Sequence, residues 1–203
     1  LSTASSAVLR ESAKMAEYSL GIDTSNYTTS VALVAASGEY RSLRTPFDVA
    51  QGLRGVRQSD AVFLHTKELP NLLEQIFESR PEVACVAVSD KPRDAEGSYM
   101  PCFLAGLASA RGLAAALHVP LYRVSHQRGH VLAALKGAGR EDLVGKAFHA
   151  YHVSGGTTEL LQVAPDGAIT ITGATADLNA GQLIDRCGVT IGLKFPCGAA
   201  LEH

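Results

Sequence analysis

The sequence predicts an α/β fold. Short apolar runs of strand length alternate with longer segments of helical period, the pattern of strands layered against helices. A set of three closely spaced strands occurs twice, once from about residue 19 and again from residue 148. Hydroxyl- and glycine-rich turns follow the first strand of each set. With 203 residues, 46% hydrophobic and 19% charged, the chain can bury a core as one domain or two small ones. A net charge of −2 lends no support to a broad nucleic-acid footprint. The cysteines at 85, 102, 187 and 197 have no Cys-x-x-Cys spacing and read as reduced thiols of a cytoplasmic protein. No apolar run is long enough to cross a membrane, so no membrane partner is expected.

Taken in order, residues 1–14 are rich in Ser and Ala, lack the apolar stretch of a secretory signal, and read as an extension before Met15. Residues 19–23 form a short strand ending in Asp23, and 31–35 a second that turns at Ser37-Gly38 into a third over 40–43. The loop from Thr24 to Ser30 is either a polar hairpin or a place where a carboxylate and hydroxyls meet a phosphate at one sheet end. Residues 45–59 are irregular, with Arg54 and Arg57 near Gly52 and Gly55. Val62, Leu69, Leu72, Leu73 and Ile76 give 61–79 a helical stripe, and Pro70 places the helix start or a kink near itself. A buried strand follows over 83–88, a polar loop over 89–101, an Ala/Leu-rich helix over 103–117 and a strand over 121–124. Ser125 is a good N-cap for a helix that carries His126 and His130. Gly and charge cluster over 136–145, the expected place for a change of lobe. Strands at 148–153, 160–163 and 168–172 make the second set, and a helix capped by Asp177 or Asn179 runs on to Gly192 with Asp185 on it.

Three groups of residues carry candidate chemistry. His152, Val153, Ser154, Gly155, Gly156 and Thr157 end a strand and begin a turn; glycines permit positive φ and close approach, and a nest of N–H groups binds phosphate. The alternative is an ordinary Gly-Gly hairpin. His126 and His130, four apart on a helix, share a face and can bind one metal, or can simply pack at the helix start. Gln127 stands where a metalloprotease needs a Glu as general base, and an amide cannot take a proton. Asp185 can hydrogen-bond a ribose or pair with Arg186.

Together these segments resemble the tRNA threonylcarbamoyladenosine synthase family, once labelled O-sialoglycoprotein endopeptidases. The resemblance runs from about Ser19 to the end of the chain. Its most specific parts are His126-x-x-Gly129-His130, Val153-Ser154-Gly155-Gly156, and Gly181-x-x-x-Asp185 followed by Phe195-Pro196-Cys197-Gly198. It implies the actin/hexokinase-like ATPase fold of ribonuclease H-like lobes, with a first lobe over 15–140 and the start of a second, incomplete lobe over 141–203. By the same resemblance His126 and His130 match ligands of one divalent metal, iron or zinc. His152 to Gly156 match the loop that holds a nucleotide phosphate or the threonylcarbamoyl-adenylate. Asp185 matches a ribose-binding Asp and Gly198 a glycine of the nucleotide site. Asp23, Thr24 and Ser25 match a first acidic, hydroxyl-rich loop that usually carries Glu. His152 stands where some members have a metal-binding Tyr, so His126, His130 and His152 are a candidate three-histidine site. Departures include Arg128 for a usual Glu, Gln182 and Arg186 for a usual Glu and Lys, and residues 91–101 in place of a Gly-Pro-Gly loop.

The expectation is metal-dependent transfer of a threonylcarbamoyl group from its adenylate to adenosine in tRNA, with Asp23 orienting the amine or a metal-bound water. ATP or an adenylate is the expected ligand. Adenine nucleotide, tRNA and proteins of the threonylcarbamoylation machinery are the expected partners. The alternative is a non-catalytic nucleotide-binding paralogue acting as partner or regulator. A metallopeptidase is disfavoured by Gln127.

Overall fold

The structure is a computed structural model, and it describes residues 17–25, 27–47, 56–194 and 197–202. The expectations for the 1–14 extension, for Arg54 and for Phe195-Pro196 lie outside those residues. By contacts the chain divides into two compact units, Leu1–His126 and Gln127–His203. The sequence reading put the change of lobe later, near 136–145.

The first unit opens with β1 (Glu17–Asp23), β2 (Thr28–Ala35) and β3 (Tyr40–Pro46), followed by α1 (Gln58–Phe77), β4 (Glu82–Lys91), α2 (Phe103–Leu117) and β5 (Leu121–Ser125). The sheet order is β3-β2-β1-β4-β5. β1, β2 and β3 are antiparallel, whereas β4 runs parallel to β1, and β5 to β4. This is the ribonuclease H-like arrangement of the actin/hexokinase-like ATPase fold, as expected from the sequence. Alternating residues send Leu20 and Ile22, Val31 and Leu33, and Val86 and Val88 into one core. Leu69, Leu72 and Ile76 of α1 and Ala110 and Ala114 of α2 cover them. Each of the large side chains contributes about 1.5–3 kcal/mol by leaving water.

Pro70 neither starts nor ends α1. The helix begins at Gln58 and runs through the proline. The reason lies in which side the proline occupies. Ala61, His65, Leu69, Leu72 and Ile76 form the buried stripe, while Pro70 is exposed. The hydrogen bond that proline removes therefore falls on the solvent side, and the packed stripe outweighs its loss. β4 is also longer than the apolar run that signalled it. Its polar end continues because Ser89 and Lys91 pair with Val124 and Ser125 of β5.

The second unit contains most of α3 (His126–Gly137), a short 3-10 turn (Glu141–Leu143), then β6 (Phe148–Val153), β7 (Thr158–Val163), β8 (Ile169–Ala174), α4 (Ala180–Thr190) and α5 (Gly198–Leu201). β6-β7-β8 is an antiparallel sheet, the same three-strand opening as the first unit. Leu161, Val163 and Ile169 form its core, packed by Val131 of α3 and Phe148. The first N–H of α4 takes its hydrogen bond from an unexpected source. Ala180 N–H donates to Thr158 Oγ1 at 2.8 Å, while Asn179 makes no side-chain cap.

Candidate functional site

In the first unit the candidate residues gather where β1 ends. Asp23 is its last residue, and the Ser25 N–H returns to Asp23 Oδ1 at 2.8 Å. This tight turn leaves Oδ2 for His126, whose Nδ1 is 2.8 Å away. Burial pushes the Asp23 carboxyl up, but hydrogen bonding and charge interaction with His126, with further bonds from Ser25 and Ser89, outweigh it. The group is held well below the usual carboxylate range. An ionised carboxylate only accepts, so the proton lies on His126 Nδ1. A neutral His126 then carries its lone pair on Nε2. A carboxylate behind the opposite nitrogen is the support that metal-ligating histidines commonly have. Phe103 lies beside the His126 ring, centroids 6.2 Å apart.

Thr24, expected near substrate, is fully buried. Its hydroxyl donates to the Cys102 carbonyl at 3.0 Å and accepts the Gly106 N–H at 3.1 Å, tying β1 to the start of α2. Gly106 is needed for that contact, because a Cβ there would lie 2.8 Å from Thr24 Oγ1.

In the second unit the strand-to-turn segment forms as the sequence predicts. β6 ends at Val153 and β7 begins at Thr158. Ser154 N–H donates to the Thr157 carbonyl at 2.7 Å, and Gly156 N–H to Ser154 Oγ at 3.2 Å. The expected use of positive φ is absent at Gly155 and Gly156. The glycine that the geometry requires is Gly181, in the first turn of α4. A Cβ there would lie 2.5 Å from the Ser154 carbonyl group and 2.6 Å from the Gly155 nitrogen. Helix α4 therefore seats directly on the backbone of the turn.

Behind the turn lies a set of contacts that no local sequence pattern indicates. His152 and Glu159 are register partners across β6 and β7. Gln127, on the first turn of α3, places its amide Nε2 2.9 Å from Glu159 Oε2 and 3.0 Å from His152 Nδ1. Gln127 is 2% exposed and Glu159 is 7% exposed, so both polar groups need partners, and these contacts supply them. The His130 and His152 rings are 5.7 Å apart and tilted by 37°.

On α4, Asp185 Oδ1 accepts the Cys197 N–H at 2.8 Å, which anchors the residue before Gly198 and the start of α5. Burial pushes the Cys197 thiol up, with the Asp185 charge adding to it. Gln182, Asp185, Arg186, Val189 and Thr190 line a shallow, open depression along the same helix.

The family resemblance implies a metal, and its fit differs among the three histidines. His126 and His130 lie one turn apart on α3, and the Asp23 contact leaves His126 the right tautomer for coordination through Nε2. His152 has the Gln127 amide nitrogen, and not a carboxylate, 3.0 Å from its Nδ1. Among the described residues no three or more His, Cys, Asp or Glu side chains are grouped to hold a metal ion. His126, with the Asp23 carboxylate behind its Nδ1, has the chemistry of a metal ligand. No helix among the described residues is long and apolar enough to cross a membrane.

The family model described as tRNA N6-adenosine threonylcarbamoyltransferase (TsaD) matches residues 28–203. The protein of that name from Bdellovibrio bacteriovorus is 32% identical over 199 residues, covering 93% of this chain and 56% of its own length. That from Campylobacter hominis is 28% identical over 191 residues, covering 91% and 54%. The chain therefore spans about half the length of these curated relatives. Among solved structures, YeaZ from Pseudomonas aeruginosa matches with a TM-score of 0.50 and 20% identity, covering 80% of this chain and 67% of its own, which shows a shared fold.

Proposed function

Because this chain belongs to the tRNA N6-adenosine threonylcarbamoyltransferase family, we propose that it takes part in transferring a threonylcarbamoyl group from its adenylate to the exocyclic amine of an adenosine in tRNA. In that reaction the amine nitrogen bonds to the carbamoyl carbon. The bond from that carbon to the phosphate oxygen breaks, AMP leaves, and the amine gives up a proton.

The single observation that supports the reading beyond family membership is the Asp23–His126 contact of 2.8 Å. It prepares His126 as a nitrogen ligand. A divalent iron or zinc ion held by His126 and His130 would supply Lewis-acid polarisation of the carbonyl. Asp23 works through His126 in this reading, holding the ring and its tautomer. Ser154, Gly155, Gly156 and Thr157 would receive the phosphate, with His152 and Val153 leading into them and Ser25 beside the acidic residue. Asp185 orders the segment that carries Gly198, on the nucleotide side. Adenine nucleotide, tRNA and proteins of the threonylcarbamoylation machinery are the partners this reading requires.

A second reading, a nucleotide-binding paralogue without transferase activity, is favoured by one feature. The Thr24 hydroxyl and one Asp185 oxygen, both candidate ligand contacts, are used in internal hydrogen bonds. One assay separates the two. The protein is incubated with labelled threonylcarbamoyl-adenylate and unmodified tRNA, beside Asp23→Asn and the double variant His126→Ala/His130→Ala. The transferase reading expects label in tRNA, reduced roughly 10–100-fold by Asp23→Asn, as for loss of a residue behind a metal ligand, and further by the double variant. Adenylate binding without transfer would favour the paralogue.

A further inference from the structure

His126 and His152 are both half-buried histidines with a partner at Nδ1, but the partners have opposite hydrogen-bonding character. His126 faces a carboxylate. His152 faces the nitrogen of an amide. Which way that amide points follows from Glu159. The Gln127 NH2 nitrogen donates to Glu159 Oε2 at 2.9 Å, which fixes the amide with its nitrogen and not its carbonyl oxygen toward the carboxyl group. Reversing the amide would set an oxygen against a carboxylate oxygen in a place from which water is excluded. The NH2 group has two hydrogens. One goes to Glu159 and the second points to His152 Nδ1, 3.0 Å away. Nδ1 must then be an acceptor, and a neutral imidazole with an acceptor at Nδ1 carries its proton on Nε2. Glu159 Oε2 lies 3.8 Å from His152 Nδ1, an ionic contact beyond hydrogen-bond range, so the hydrogen bond at Nδ1 comes from the amide.

We infer that Glu159 and Gln127 are positioning residues that hold His152 as the Nε2–H tautomer, so that His152 serves as a hydrogen-bond donor to an anionic phosphate or carboxylate oxygen of the ligand and not as a metal ligand. Coordination through Nε2 needs the lone pair there, and this tautomer has a proton instead. The place of His152 suits a donor, because it lies two residues before Ser154, at the end of the strand that feeds the turn. The tautomer rests only on contacts within the second unit and holds whether or not the chain is a transferase. The choice of an adenylate as the probe ligand rests on the proposed function.

Nitrogen-15 spectra of the histidine rings test the tautomer, with His152→Ala assigning the signal. The wild-type protein is expected to show a protonated Nε2 and an unprotonated Nδ1. The exchange Gln127→Glu/Glu159→Gln keeps side-chain volume and total charge and puts a carboxylate against Nδ1; it is expected to move the proton to Nδ1. Gln127→Met serves if the exchange does not fold, and is expected to give a mixture of the two tautomers. A wild-type ring protonated on Nδ1, or a proton that stays on Nε2 in these variants, overturns the relay. AMP titration tests the donor. His152→Ala should weaken AMP binding about tenfold or more, the effect of one hydrogen bond to a charged oxygen. His152→Gln, which keeps an N–H near the Nε2 position, should recover most of it. Equal binding by all three proteins, or equal loss in both variants, overturns the donor role while leaving the tautomer and the transferase assay to stand on their own results.

Discussion

His65 is fully buried on α1, with Nδ1 2.8 Å from Thr29 Oγ1 and the Phe47 ring 4.6 Å away. Its Nε2 has no hydrogen-bond partner among the described residues. Burial lowers its pKa from 6.5 to about 4, against an opposing pull from the Asp23 charge. The unfolded chain therefore binds a proton that the folded chain resists over the interval between those values. Stability from a neutral His65 is complete above about pH 6.5 and is lost as pH falls toward 4, by about 3 kcal/mol in all. Urea midpoints between pH 7 and pH 4.5 should fall, and His65→Gln should flatten that dependence. The sequence marked the pair His126 and His130, because four-residue spacing on a helix is a local signal. The partners that set the chemistry were not legible. Asp23 lies 103 positions from His126, and Gln127 reaches Glu159 and His152 across sheet register. Gln127 was noticed only as the wrong residue for a peptidase base. A period or a spacing cannot report which nitrogen of a ring meets a carboxylate.

At the scale of elements, two glycines set how close a helix can come to what it supports. Gly106 lets α2 approach Thr24, and Gly106→Ala must displace a hydroxyl that holds two hydrogen bonds. A loss of about 1–3 kcal/mol is expected, measured by denaturant unfolding. Gly181 lets α4 rest on the Ser154–Gly155 backbone. Gly181→Ala would collide with main chain, which cannot rotate away, so the turn itself must move. Shifted amide resonances at Gly155 and Gly156, with weakened AMP binding, are the expected result. Unchanged resonances would show that α4 does not shape the turn. Gly181 belonged to the recognised motif, but its reason was invisible without the contact. The helices and strands themselves were largely legible from period and length. Where the structure differs, in the start of α1 well before Pro70 and at the polar end of β4, a neighbouring element outweighed local propensity: packing on the sheet carries α1 through its proline, and β5 extends β4.

At the scale of the whole molecule, the alternation of strands and helices was enough to give an α/β fold, and the order β3-β2-β1-β4-β5 turns that into a ribonuclease H-like unit. The three-strand opening recurs in β6-β7-β8. Each unit ends a first strand at a candidate site: Asp23 closes β1, and Val153 closes β6 just after His152. The proposed tautomers of His126 and His152 are opposite. One, backed by Asp23, is suited to a metal. The other, backed by the Gln127 amide, is suited to an oxygen. The most direct test of this division is metal content by mass spectrometry in the wild-type protein, His126→Ala/His130→Ala and His152→Ala. The account predicts about one iron or zinc per wild-type chain, its loss in the double variant and its retention in His152→Ala. Loss of the metal in His152→Ala, or retention in the double variant, would contradict it.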